Sequence, residues 1–159
     1  MVRPIKEDDL IKNILATAKT IAMVGVSSIK KEISTNIKRR PSIIVMKYLQ
    51  EFGYRVIPVN PFSVGKEIYG ETVVAQLEDI KVPIDIVDVF RPSAEAPELA
   101  KQAVAIQAKA LWLQYGIQND EAAKISKSQN ITYIANKCIK QEYQRLFLKV
   151  SPVFPALKN

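Results

Sequence analysis

The stretch Thr20-Ile21-Ala22-Met23-Val24-Gly25-Val26-Ser27-Ser28 is an apolar run that stops at one glycine and passes into small hydroxyl residues. It is too short for an isolated buried helix and rich in aliphatics, so it reads as a central parallel strand buried on both faces. Gly25 then turns the chain into a loop. Such a turn suits phosphate, because glycine admits close approach and exposed N–H groups and hydroxyls can hold an anion. A plain strand-to-helix turn that binds nothing fits the same residues equally, since a single glycine is a weak form of the dinucleotide fingerprint.

The rest of the chain alternates strand and helix around this run. Leu10, Ile11, Ile14, Leu15 and Ala18 fall at helical spacing over residues 6–18. After a long polar connection, Ser42 is expected to cap a helix with an apolar face of Val45, Tyr48, Leu49 and Phe52, ended by Gly53. Residues 55–61 read as a second parallel strand, in which Pro58 predicts an irregular end or weak pairing on one side. A loop over 62–70 precedes a short edge strand near 71–74 and a short helix over 75–79. Further strands are predicted at 85–90, 110–115 and 131–135, with helices at 97–107, after Asn119, and at 140–148.

This alternation predicts an α/β, Rossmann-like open parallel sheet with helices on both faces. The strand order expected is 3-2-1-4-5, with the first strand at the switch point. Ligands then bind at the carboxyl ends of the strands, where the loops 25–28, 60–66 and 89–93 should converge.

With 159 residues, 48% of them apolar, the chain is expected to be one domain over 1–159, with a core of about 7–148 and a tail over 149–159. No apolar stretch reaches the length of a membrane span, and the charged N-terminus is unlike a secretory signal, so the cytoplasm is the expected compartment. Cys138 is the lone cysteine and there is no histidine, which argues against a disulfide, a zinc cluster or the commonest general base. No metal ligand and no catalytic residue is assigned. Asp85 and Asp88, three apart on a strand, point to opposite faces and make no acid–base pair. The net charge of +7 favours polyanionic partners, and over half of it lies in residues 30–40, where Lys30, Lys31, Lys38, Arg39 and Arg40 face only Glu32.

A dinucleotide dehydrogenase would want a second glycine after Gly25 and an acidic residue at the end of the second strand. Val26-Ser27 and Pro58-Val59-Asn60-Pro61 supply neither. Lys66, on a glycine-flanked loop, instead suits an additional phosphate such as that on a phosphorylated ribose.

Residues 21–27, the long stretch 47–61, and Asp85-Ile86-Val87-Asp88-Val89-Phe90-Arg91 together resemble the stand-alone CoA-binding protein family, similar to the N-terminal domain of the succinyl-CoA synthetase alpha subunit. Residues 110–116 and 136–140 resemble that family's later signatures, so the likeness covers about 7–148. It implies coenzyme A or an acyl-CoA bound across the three loops by a non-catalytic domain, alone or with a partner protein or a second copy. Gly25, Val26, Ser27 and Ser28 would contact the pyrophosphate and pantetheine. Pro58 and Asn60 would shape the adenosine end, Lys66 would meet a phosphate, and Val89, Phe90 and Arg91 would line the wall. Arg40, in the Arg40-Pro41-Ser42 step, joins the ligand set, although residues 29–38 look like an insertion before that step. The synthetase's phosphorylated histidine lies in a further domain, so ligase activity by this chain alone is not expected. The alternatives are an NAD(P)- or other nucleotide-binding Rossmann protein and, less favoured, nucleic-acid binding through 30–40.

Overall fold

A computed structural model of the chain describes residues 6–26 and 41–149. The strands are β1 (Thr20–Val24), β2 (Arg55–Val59), β3 (Glu67–Ile68), β4 (Glu71–Thr72), β5 (Ile86–Val89), β6 (Ala110–Leu113) and β7 (Thr132–Ile134). The helices are α1 (Glu7–Thr17), α2 (Pro41–Glu51), α3 (Ala96–Ala105), α4 (Asp120–Ser128) and α5 (Ile139–Tyr143). β3 and β4 form a small antiparallel ribbon, and the other five strands form one parallel sheet in the order β2-β1-β5-β6-β7. The Rossmann-like α/β architecture is therefore present.

The strand order corrects the expectation. Counted along the chain, the five sheet strands run 2-1-3-4-5 rather than 3-2-1-4-5, because β5 pairs with β1 (Ile21 beside Ile86) and does not lie beyond β2. The outer edge of β2 is already covered. Asn60 N–H donates to the Val74 carbonyl at 2.8 Å, and Val74 N–H donates to the Pro58 carbonyl at 3.0 Å. Residues 55 and 59 face β1 instead, through Arg55 N–H to Lys19 O (2.9 Å) and Gly25 N–H to Val59 O (2.8 Å). Pro58 thus places its missing donor on the outside of an edge strand, where it costs no ladder bond.

Successive strand residues point to opposite faces, and this divides the core in two. Ile21, Met23, Val56, Ile86, Trp112 and Ile134 pack beneath α1, α2 and α5. Ala22, Val24, Ile57, Val59, Val87, Val89, Leu111 and Leu113 pack beneath α3 and α4. Ala96, Ala100 and Ala103 give α3 a small-residue face that lies close on the sheet.

Several local expectations shift. Helix α2 opens on Pro41, whose fixed φ suits a first helical position, and Ser42 is buried inside the first turn rather than capping it. Its buried face is Ile43, Val45, Met46 and Leu49, while Phe52 is exposed. Residues 77–79 make only a 3₁₀ turn. Asn119 does cap α4, its Oδ1 accepting from Ala122 N–H at 2.9 Å. The closing helix is short and widens into a π turn over Gln144–Leu148. The basic segment 30–40 and the proline-containing tail lie outside the described residues. Among the described residues no helix is long and apolar enough to cross a membrane.

Candidate functional site

The carboxyl ends of β1, β2 and β5 open on a cleft of about 420 Å³, within the range of small-molecule sites. Val24 and Gly25 come from β1, Val59 to Phe62 from β2 and its loop, and Arg91 from the exit of β5. Leu77 lies on the 3₁₀ turn, and Leu99 and Gln102 on α3. Gly25 sits at φ +101°, where L side chains are rare. A Cβ there would meet the Phe90 carbonyl oxygen at 2.9 Å and Arg91 Cδ at 3.1 Å. Glycine is required at this turn both by backbone angle and by the neighbouring loop.

Asn60 joins two of the three loops. Its buried side chain donates from Nδ2 to the Val26 carbonyl (2.9 Å) and accepts at Oδ1 from Phe62 N–H (2.9 Å). The second bond is an Asx turn, which sets the path of the chain after β2. Phe62 consequently stands at the cleft with 89% of its surface exposed. Phe62 is absent from the residues expected at the site; an aromatic directly after Asn-Pro at a strand end is the signal that marks it.

Arg91 brings the positive charge, already paired. Its Nε donates to Glu95 Oε1 at 3.0 Å and its Nη2 to Glu95 Oε2 at 2.7 Å. These bonds hold the Glu95 carboxyl below its usual range and raise Arg91 above its own. Lys66 is exposed on the loop that carries Phe62 but is not among the cleft-lining residues. Its backbone is fixed, with N–H donating to Ser63 O at 3.1 Å and its carbonyl accepting from Val73 N–H at 2.8 Å.

The structure thus brings Gly25, Asn60 and Arg91 together and adds Phe62. Val26 and Val89, expected to touch ligand, have fully buried side chains that support the site from behind. Pro58 is likewise buried within the sheet edge. Phe90 packs against the core on the α1, α2 and α5 side and turns its carbonyl toward Gly25. Ser27, Ser28 and Arg40 lie outside the described residues.

A buried polar group sits on the opposite face of β5. Asp88 is fully buried; Oδ1 accepts from Gln114 Nε2, and Oδ2 has no hydrogen-bond partner among the described residues. Burial pushes its carboxyl up to about 8, against the opposing effect of the Gln114 bond. Gln114 Oε1 in turn accepts from Ile139 N–H at the start of α5 (3.4 Å). Burial also pushes up the nearby Cys138 thiol. Asp85 serves elsewhere, accepting from the N–H groups of Lys19 (2.8 Å) and Thr20 (3.1 Å) at the start of β1 and pairing with Lys109. Among the described residues no group of three or more acidic, cysteine or histidine side chains is placed to hold a metal ion.

Residues 19–144 match the family model of the CoA binding domain. The uncharacterized protein YneT of Bacillus subtilis (strain 168) is 39% identical over 130 residues, which cover 82% of this chain and 89% of that protein. Among solved structures, cell-free ID.343 from Thermus thermophilus is similar with 39% identity and a TM-score of 0.78, over 89% of this chain and 100% of that one. A hypothetical protein from Pyrococcus horikoshii OT3 is similar with 38% identity and a TM-score of 0.77, over 92% and 97%. Because the family match runs from β1 through β7 and takes in every strand end around the cleft, this chain belongs to the CoA-binding domain family.

Proposed function

We propose that this chain binds coenzyme A or an acyl-CoA in the cleft at the ends of β1, β2 and β5, as a stand-alone domain that does not itself catalyse a reaction. The observation that carries this reading is the meeting of Gly25, Asn60 and Arg91 at one cleft in a member of the CoA-binding domain family. Gly25 lets the exits of β1 and β5 close on one another, which brings Arg91 to the cleft, where it offers a planar guanidinium to a pyrophosphate. Lys66, exposed on the loop that follows β2, is the residue assigned to the 3′-phosphate. Val24, Val59, Leu77 and Leu99 supply apolar surface for the uncharged parts of the ligand. Val26, Pro58, Val89 and Phe90 shape these positions from the core, and Ser27, Ser28 and Arg40 join the ligand set by family likeness.

Titration calorimetry with CoA, 3′-dephospho-CoA and NADP⁺ tests the reading. One site for CoA, with weaker binding of the dephospho form, is expected. Folded protein that gives no heat with CoA overturns it, and binding of NADP⁺ alone transfers the cleft to nicotinamide dinucleotides.

A further inference from the structure

We infer that Phe62 is the stacking platform for the purine base of the bound nucleotide and that Asn60 is the residue that positions it. This rests on the CoA reading above and extends it to a residue of defined role. Phe62 has the largest exposed fraction of the exposed large hydrophobic residues described, 89% against 78% for Tyr115. Water contact of this extent on an aromatic ring gives folding nothing, and a ring left open beside a cleft is available to a ligand.

The ring is exposed without hanging on a loose segment. Phe62 N–H is bonded to Asn60 Oδ1, and Asn60, only 9% exposed, is anchored through Nδ2 to the Val26 carbonyl just beyond β1. Pro61, between them, restricts the backbone further. The position of Phe62 is therefore referred to the ends of two adjacent strands rather than to the loop alone. Among the described residues the aromatic contacts gather elsewhere, in Tyr48, Phe52, Tyr54, Tyr143 and Phe147, and Phe62 takes no part in them.

The chemistry selects the base over the pantetheine arm. A purine presents a flat π face that an aromatic ring can cover, whereas the pantetheine chain is narrow and flexible. Lys66 follows Phe62 by four residues on the same loop, so a base on the ring and a phosphorylated ribose would draw on one segment of chain.

Phe62→Leu and Phe62→Tyr test the inference against CoA, adenosine 3′,5′-bisphosphate and phosphopantetheine, by calorimetry and by the proton NMR of the ligand. The wild type is expected to shift the adenine H2 and H8 resonances upfield by the ring current of Phe62. Phe62→Leu should lose that shift and about tenfold in affinity for CoA and for the bisphosphate, with phosphopantetheine unchanged; Phe62→Tyr should restore both. Equal affinity of Phe62→Leu and wild type for CoA overturns the inference and leaves the CoA reading intact. A matching loss for phosphopantetheine also overturns it, since the ring would then act on the cleft as a whole. Wild-type protein that binds no CoA overturns both, and that is read before any substitution is compared. Because the side chain is exposed, thermal midpoints equal to wild type are expected for both variants.

Discussion

A methyl group on Gly25 would lie 2.9 Å from the carbonyl oxygen of Phe90, so the exits of β1 and β5 meet with no room for a side chain. Gly65 also has positive φ (+86°), but a Cβ there would meet nothing within 4 Å. The pair separates backbone strain from steric contact. Gly65→Ala should cost about 1 kcal/mol from φ alone, and Gly25→Ala about 2–3 kcal/mol because Phe90 or Arg91 must also move. Urea denaturation of the two variants measures the difference, and Gly25→Ala should additionally weaken CoA binding.

Glu95 occupies the guanidinium of Arg91 that a phosphate would use. An incoming anion must displace this partner or bind beside its negative charge. Glu95→Gln is therefore expected to tighten CoA binding roughly threefold at low salt, and Arg91→Ala to weaken it about tenfold. Weaker binding by Glu95→Gln would mean that Glu95 orients Arg91 instead of competing for it.

Lys66 is expected to act on the 3′-phosphate alone. Lys66→Ala should reduce affinity for CoA to that for 3′-dephospho-CoA while leaving the dephospho ligand unchanged, as calorimetry on the four combinations would show. An equal loss for both ligands would move Lys66 to another phosphate.

Asp88 should make stability depend on pH. Its folded-state value of about 8 lies above the ordinary 3.8, so between those limits the folded protein keeps a proton that the unfolded chain has released. Stability attributable to this group therefore falls as pH rises from about 4 to 8 and is constant above that. Asp88→Asn, which removes the titration and retains an acceptor for Gln114, should flatten the slope and raise the melting temperature most at pH 8. Matched thermal scans from pH 5 to 9 check this; equal slopes in both proteins would contradict it.

Much of the fold was legible in local patterns. The β1 and β5 segments are short, nearly continuous apolar runs, as strands covered on both faces must be, and the structure places both inside the sheet. Asn119 followed by two acids marked the start of α4 through chemistry confined to four residues. Gly25 was legible as a special turn, although its contact with Phe90 was not, because that residue is 65 positions away along the chain. For Asn60 the distance along the chain to its partner is 34 positions. Its type and its place after Pro58-Val59 marked a loop entrance, but the bond to Val26 that makes it a tie between strands exists only after the strands are adjacent.

The order of amino acids by itself determined where the parallel strands and the longer helices lie, and that the turn after β1 needs glycine, since periodicity and backbone angle are properties of a few neighbouring residues. Tertiary structure decided the rest. Pro58 is compatible with either a broken strand or a sheet edge, and only the covering of β2 by Val74 made it an edge and sent β5 to the other side of β1. That placement brings Arg91 to Gly25, seals Val89 in the core and leaves Phe62 on the rim, because exposure and convergence depend on which strand ends become neighbours in space.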